Sequence, residues 1–158
     1  MYMMEISVTF LLTGCLIQGV FCDLINLPKR VEALEGSCVI IPCTFNIDQQ
    51  YEQYLTDSAK RIWSKDLWSK NIVFDSSSPN TGPLRGEIFG TPTEKNCTTR
   101  FDNVEQKDNG SYYFRIESND KLKYNYPKSV EIVIIGSGGG EGGDGGDGGK
   151  LCESALLD

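Results

Sequence analysis

One arginine in this 158-residue chain stands in a pattern suited to holding a carboxylate. Arg115 lies in the segment DNGSYYFRIE (108–117), where Tyr112 and Phe114 occupy alternate positions. Successive side chains of a β-strand point to opposite faces, so a strand that buries these two aromatic residues points Arg115 outward. A guanidinium group is a rigid fork of donors that can form two parallel hydrogen bonds with a carboxylate, which lysine cannot reproduce. The simpler alternative is an ordinary solvent-facing arginine on a sheet.

The same segment predicts the fold that positions this arginine. Asp108, Gly110 and Tyr112 form a D-x-G-x-Y pattern, in which a tight turn leads into a strand and the tyrosine hydroxyl bonds back to upstream backbone. This pattern is the tyrosine corner of immunoglobulin sandwiches. Trp63 follows Cys43 by 20 residues, which is where these sandwiches place the core tryptophan of strand C.

Short apolar and β-branched runs bounded by turn residues supply the other strands. The predicted strands cover residues 27–34, 37–45 (strand B), 61–65 (strand C), 71–74, 85–89, 97–101 (strand E), 110–118 (strand F) and 128–134 (strand G). The strand at 71–74 favours the variable-type arrangement over the constant type. We therefore predict an all-β, variable-type immunoglobulin sandwich, with an ion pair between Arg85 and Asp108 at its base.

The chain divides into three parts by composition. Residues 1–22 contain an uncharged, largely apolar run and are expected to be a secretory signal peptide, although an N-terminal membrane anchor is the alternative. Residues 23–135 suit one sandwich domain. Residues 136–158 hold ten of the 17 glycines and five acids, which predicts a disordered tail. We expect an extracellular or cell-surface product with no membrane-spanning segment after the leader.

Composition also argues against several classes of function. The net charge of −7 lies largely in the tail, so the domain is close to neutral and offers no basic surface for nucleic acid. The chain has no histidine, and it lacks a nucleophile motif and a phosphate-binding glycine loop, so we do not expect an enzyme. We expect neither a cofactor nor a metal, because the cysteines lack C-x-x-C spacing and export favours disulfides.

The cysteines indicate an unusual disulfide. In an immunoglobulin sandwich the second bridging cysteine stands two residues after the corner tyrosine, but this position is Phe114. The only other nearby candidate partner for Cys43 is Cys97, on strand E. Strands B and E are neighbours, so this bridge would lie within one sheet. Cys38 is left over, and it is either free, paired with another domain, or paired with Cys152 in the tail.

Two sequons are candidate glycosylation sites, at Asn96 and Asn109. The first sequon overlaps Cys97, and the second overlaps the turn of the tyrosine corner. Either site could therefore be skipped.

Together these features resemble the N-terminal variable-type domain of the sialic-acid-binding immunoglobulin-like lectins, in particular the branch of sialoadhesin, myelin-associated glycoprotein and the B-cell receptor. The resemblance rests on EGSCVIIPC (35–43), Trp63, NCT (96–98) and DNGSYYFRIE (108–117), and it spans residues 27–134. Its specific part is the combination of two cysteines on strand B, one on strand E, none on strand F, and the sequence Y-Y-F-R at strand F.

The resemblance implies that Arg115 grips the carboxylate of sialic acid, and that the partners are sialylated glycans on glycoproteins or glycolipids. It also implies an aromatic residue on strand G that packs against the glycerol chain of the sugar. Tyr124 and Tyr126 stand just before the predicted strand, and we favour Tyr126 slightly.

The sequence differs from that family in two respects, and it also fits a rival interpretation. Cys38 matches a cysteine that pairs with a second domain in that family. The family's aromatic residue on strand A has no counterpart in DLINLPKR (23–30). The rival is a protein-binding immunoglobulin receptor fragment or soluble decoy, whose front sheet meets another immunoglobulin-like protein. An exposed Trp68 would favour the rival as an interface anchor.

Overall fold

The computed structural model describes residues 24–136, Cys152 and residues 155–156. The expected leader, residues 1–22, and most of the tail lie outside the described residues. The boundaries of these two segments therefore stay predictions.

Strands make up most of the regular structure in the described residues. Their bounds are β1 Ile25–Asn26, β2 Arg30–Leu34, β3 Val39–Ile41, β4 Thr44–Phe45, β5 Lys60–Ser64, β6 Ile72–Asp75, β7 Arg85–Ile88, β8 Thr99–Asp102, β9 Gly110–Ser118, β10 Leu122–Ile135 and β11 Ala155–Leu156. Short 3₁₀ helices lie between them at Gln49–Tyr54, Pro92–Glu94 and Gln106–Asp108. The architecture is an all-β, variable-type immunoglobulin sandwich, as the sequence predicts.

The strands form a front sheet and a back sheet. The front sheet has the order β11–β2–β10–β9–β5–β6, the back sheet has the order β3–β8–β7, and β1 pairs with β4. Strand β9 lies in the middle of the front sheet, antiparallel to β10 on one side and to β5 on the other. Its outward side chains are therefore flanked by those of two neighbouring strands.

Prolines separate two pairs of strands. The predicted strand 27–34 is observed as β2, which begins at Arg30 and runs parallel to β10, whereas β1 precedes Pro28 and pairs with β4. The predicted strand 37–45 becomes β3 and β4 on either side of Pro42. Proline has no N–H to donate to a strand ladder, so pairing stops there and resumes with a different partner.

Aromatic side chains fill the space between the sheets. Trp63, Phe101 and Phe114 are each 0% exposed, and Phe45 is 2% exposed. The ring of Phe114 lies 5.3 Å from that of Trp63 and 5.4 Å from that of Phe45, centroid to centroid. Phe114 thus packs in the core at the position where the second intersheet cysteine would stand.

The predicted disulfide between Cys43 and Cys97 is present and lies within the back sheet. The amide of Cys97 donates to the carbonyl of Cys43 at 3.0 Å, and the neighbouring residues Thr44 and Asn96 form a β-bridge. The bridge closes a loop with a sequence separation of 54 residues. A disulfide that closes a loop of this length should stabilise the fold by about 4 kcal/mol.

The tyrosine corner is formed, but the ion pair predicted beside it is not. The hydroxyl of Tyr112 donates to the carbonyl of Asp108 at 2.5 Å, and burial raises the pKa of this tyrosine. The expected partner of Asp108, Arg85, instead donates to the carbonyl of Gly82 at 3.2 Å. The carboxylate of Asp108 accepts from the amide of Glu105 at 2.8 Å, so it caps a short 3₁₀ helix.

Candidate functional site

Arg115 lies on the outer face of β9, as predicted. Its strand neighbours Phe114 and Ile116 are each 0% exposed and face the core. The side chain of Arg115 is 17% exposed and stands opposite Ile62 on β5 and Asn125 on β10. Ile62 shares this outer face yet is only 3% exposed, which fits cover by the aliphatic stem of the arginine.

Two side chains hold the guanidinium group of Arg115. Its Nε donates to Oε1 of Glu117 at 2.7 Å, and its Nη1 donates to Oδ1 of Asn125 at 2.9 Å. A guanidinium group carries five N–H donors, so these two bonds leave donor capacity at the end of the fork. The arrangement can bind a carboxylate that approaches the outer face of the sheet.

A loop between β5 and β6 reaches the same site through Ser69. The hydroxyl of Ser69 donates to Oδ1 of Asn125 at 3.0 Å, so this amide oxygen serves both the loop and Arg115. This contact could not be predicted from the sequence, because a predicted strand G beginning at residue 128 leaves Asn125 in a turn. In the structure β10 begins at Leu122, which brings Asn125 into register with Arg115.

Asp66 orders this loop from within. Its carboxylate accepts hydrogen bonds from the backbone amides of Trp68 at 2.9 Å, Lys70 at 3.1 Å and Asn71 at 2.6 Å. These bonds, with that from Lys70 the largest cause, lower the pKa of Asp66. The loop presents Trp68 with 72% of its surface exposed, one residue from Ser69.

The preference for Tyr126 as the aromatic residue of the site is corrected. Tyr126 is 0% exposed, and its hydroxyl donates to the carbonyl of Asn46 at 2.7 Å. Its ring packs 5.7 Å from that of Phe114, and burial raises the pKa of its hydroxyl. The alternation of β10 places this side chain in the core, where no sugar can reach it in this conformation.

Tyr124 is the accessible member of the pair. It is 39% exposed, and its ring stands edge-on to that of Tyr126 at 4.8 Å. Beside it lies a shallow cavity of about 280 Å³, with largely apolar walls from Leu24, Ile47 and Tyr51. Tyr124 stands opposite Ile116 of β9, which faces the core, whereas the next residue, Asn125, stands opposite Arg115. The ring of Tyr124 and the guanidinium group therefore project from different faces of the front sheet.

Comparison with known proteins gives one consistent group of sequence relatives. Sialic acid-binding Ig-like lectin 13 from Pan troglodytes is 29% identical over 146 residues, covering 84% of this chain and 36% of that protein. Sialic acid-binding Ig-like lectin 12 from Mus musculus is 28% identical over 113 residues, covering 65% and 24%. Human myelin-associated glycoprotein is 25% identical over 118 residues, covering 70% and 18%. The chain is similar in sequence to the sialic-acid-binding immunoglobulin-like lectins.

The sequence similarity covers only part of each of these lectins. The chain spans about a third or less of the length of the lectins it matches. No protein-family model matches it. Among solved structures, Tim-2 aligns with a TM-score of 0.48 and 13% identity over 70% of this chain and 95% of that one. Human T-cell immunoglobulin and mucin domain protein 1 aligns with 0.46 and 16%, over 68% and 98%. These structural likenesses are too distant to add to the fold described above.

Cys38, the leftover cysteine, is bonded to Cys152. The structure therefore selects one of the three states that the sequence left open, and it corrects the assignment of Cys38 as an unpaired or interdomain cysteine. Cys38 is 4% exposed, and β11 pairs antiparallel with β2 nearby in the chain. The described part of the tail is thus attached to the domain.

The two sequons lie in different surroundings. Oδ1 of Asn96 accepts from the amide of Thr98 at 2.9 Å, and the residue is half-buried. Asn109 is exposed, and its Oδ1 accepts from the amide of Ile134 at 2.7 Å. Both remain predicted glycosylation sites.

Neither a membrane-spanning helix nor a metal-binding group of side chains is found among the described residues. No helix within residues 24–136 has the length and apolar character needed to cross a bilayer. The same residues contain no group of His, Cys, Asp or Glu side chains arranged to hold a metal ion.

Proposed function

We propose that this domain binds sialic acid and that Arg115 holds the carboxylate of the sugar. The observation that carries the proposal is the guanidinium group of Arg115 on the outer face of the front sheet. It is partly exposed, and side chains rather than backbone carbonyls hold it. The sequence relatives, whose names state sialic acid binding, support the same ligand.

Tyr124 supplies the apolar contact of this proposed site. It is exposed, it follows Lys123 on β10, and it precedes the amide that bonds to Arg115. A ligand held by Arg115 would reach this ring around the edge of β10, and an aromatic ring there suits a sugar that carries both a carboxylate and an aliphatic glycerol chain. Tyr126 has no part in binding, because it lies in the core.

The proposed site is weak in a single copy. A charge-assisted hydrogen-bonded pair contributes about 1.5–3 kcal/mol. With the aromatic contact the total reaches about 4 kcal/mol, which corresponds to a Kd of about 1 mM. Useful adhesion therefore depends on many copies that engage many glycans at once.

The proposed setting is the cell surface or the extracellular space. A leader at residues 1–22 would direct export, and oxidising conditions there favour the Cys43–Cys97 bridge. The ligands would be sialylated glycans on glycoproteins or glycolipids, and the role would be in adhesion or immune recognition.

Titration with 3′-sialyllactose, followed by amide chemical shifts, tests the proposed site. We expect shifts in β9 and β10 with a millimolar Kd. Arg115→Ala should abolish these shifts, and lactose, which lacks the acid sugar, should give none. The absence of shifts at high millimolar sialyllactose, or the same shifts in Arg115→Ala, would reject the lectin function.

Trp68 favours a second candidate function, the binding of another immunoglobulin-like protein. It is 72% exposed on a loop that three amide hydrogen bonds to Asp66 hold in place. A large aromatic side chain presented on an ordered loop is typical of an interface anchor. Trp68→Ala should leave sialyllactose binding by the isolated domain unchanged and reduce adhesion to a protein partner stripped of sialic acid by a sialidase.

A further inference from the structure

We propose that Glu117 is an internal counter-acid that occupies Arg115 in the free domain, and that Lys60 and Lys123 receive its carboxylate when a ligand binds. This inference rests on the proposed function. It names the residue that sets the affinity of that site.

The starting point is the ion pair between Glu117 and Arg115. Oε1 of Glu117 lies 2.7 Å from Nε of Arg115, and the two side chains are 27% and 17% exposed. Both project from the outer face of β9, two residues apart. In the free domain, therefore, Arg115 already holds the carboxylate of Glu117 at the position proposed for the ligand carboxylate.

The geometry of the guanidinium group makes this contact compete with a ligand. The group offers two edges for a bidentate carboxylate, Nε with Nη2 and Nη1 with Nη2. Glu117 engages Nε of the first edge, and Asn125 engages Nη1 of the second. Asn125 is neutral, so it can remain beside a bound acid. A ligand carboxylate on either edge while Glu117 stays would put two anions against one cation, which is unfavourable at this distance.

The register of the sheet provides a place for the displaced carboxylate. Glu117 stands directly opposite Lys60 on β5 and directly opposite Lys123 on β10. Side chains at directly opposite positions have Cβ atoms about 4.5–5.5 Å apart. Lys60 is exposed, and the ammonium of Lys123 lies 3.6 Å from Asp120 at the solvent. A rotation of the glutamate side chain can therefore exchange one cation for another without moving the strand.

Binding then becomes an exchange of partners. The ligand carboxylate takes Arg115, and Glu117 takes a lysine, so no anion is left without a cation. The affinity measured for a sialoside is the difference between two carboxylates that compete for one guanidinium group. The measured affinity is therefore lower than the affinity that Arg115 would have for the ligand without competition from Glu117.

The first test is Glu117→Gln with 3′-sialyllactose as the probe. Glutamine keeps an oxygen that accepts from Nε of Arg115, but it removes the negative charge. We expect the Kd to fall by about three- to tenfold. The double variant Arg115→Ala/Glu117→Gln should not bind, which shows that the gain acts through the arginine and is not general attraction to an anion. An unchanged or raised Kd in Glu117→Gln overturns the exchange.

The second test is Lys60→Gln and Lys123→Gln in two backgrounds. In the wild-type background each lysine variant should raise the Kd, and the combined variant should raise it further, because the displaced glutamate loses its acceptor. In the Glu117→Gln background the same changes should have no effect. Equal losses in both backgrounds would show that the lysines contact the ligand directly, and this too overturns the exchange.

The outcomes separate this inference from the proposed function. If the wild-type domain binds and Arg115→Ala does not, the lectin site stands whatever Glu117→Gln does. If the wild-type domain shows no binding but Glu117→Gln binds, the lectin function of the native domain is overturned, and the role of Glu117 as a counter-acid is supported. If neither binds sialyllactose, both are overturned. A matching amide spectrum outside β5, β9 and β10 confirms that each variant is folded.

Discussion

Two arginines on neighbouring strands of the front sheet have opposite surroundings. Arg61 on β5 stands opposite Ile116 and faces inward, where it is 8% exposed. Its Nη1 lies 3.0 Å from the carbonyls of Phe89 and Gly90, and 3.2 Å from that of Asn96. Arg115 on β9 faces outward and is held by the side chains of Glu117 and Asn125, as described above.

The difference separates a structural cation from one that can bind a ligand. Backbone carbonyls cannot leave Arg61 without breaking the fold, and burial lowers its pKa. Its Nε is buried and has no hydrogen-bond partner among the described residues. The partners of Arg115 are side chains that can rotate away. We infer that exchangeable partners, more than exposure, distinguish the arginine that is proposed to bind a ligand.

The largest expected effect is on stability, from Arg61→Met. This change leaves three carbonyls around Arg61 without their donor, and a buried unsatisfied group costs about 1–3 kcal/mol. Because the buried arginine itself carries a desolvation cost, we expect a net loss of about 3 kcal/mol in the free energy of unfolding. Urea unfolding followed by tryptophan fluorescence measures it. Arg115→Met is the matched control and should cost less than about 1 kcal/mol. Similar losses of unfolding free energy in the two variants would contradict the distinction between a structural arginine and one with exchangeable partners.

The next effect is on binding, from Arg115→Lys. Lysine keeps the positive charge but not the planar fork, so the bidentate contact with a carboxylate is lost. We expect the Kd of 3′-sialyllactose to rise by about tenfold, which is about 1.4 kcal/mol. The free energy of unfolding should stay within about 0.5 kcal/mol of wild type. Full affinity in the lysine variant would mean that charge alone, and not geometry, defines the site.

The same contrast between fixed and accessible groups recurs in Tyr126 and Tyr124. Tyr126→Phe removes the bond to the carbonyl of Asn46 and should lower the free energy of unfolding by about 1 kcal/mol without changing the Kd. Tyr124→Ala should raise the Kd by about threefold, from the loss of about 30 Å² of apolar contact with the sugar at about 25 cal/mol per Å². Urea unfolding and sialyllactose titration of both variants test these two predictions. A loss of binding in Tyr126→Phe would contradict its placement in the core.

The sequence predicts the sandwich and the position of Arg115 well, for a physical reason. Alternation along β9 and the D-x-G-x-Y turn are local patterns, and each fixes which way a side chain points. What the sequence missed depends on contacts between strands. The early start of β10 and its irregular register between Asn125 and Ser129 decide that Asn125 meets Arg115 and that Tyr126 turns inward. No local pattern encodes that register.

The contact of Ser69 with Asn125 was missed for a related reason. It joins a loop to a strand 56 residues later in the chain. Alternation along β9 predicts that Glu117 lies on the same face as Arg115, two residues away. Its role as a partner became clear only from the 2.7 Å contact with Nε. The pairing of Cys38 with Cys152 was one of several states that sequence spacing allowed, and spacing could not choose among them.

The smallest expected effect concerns the loop that leads to Arg115 through Ser69. Hydrogen bonds from backbone amides lower the pKa of Asp66 below its usual range. A carboxyl group with a lowered pKa in the folded state contributes order that is present above its unfolded pKa and is lost as the pH falls through the folded pKa. The amide signals of Trp68, Lys70 and Asn71 should therefore shift together below the ordinary aspartate range, about pH 3.9. Asp66→Asn should shift the same signals at neutral pH and remove their pH dependence. Because Asn125 also bonds to Arg115 directly, the Kd should change by less than about twofold in this variant. A larger change would mean that the loop, and not only the two side chains beside it, holds the arginine in place.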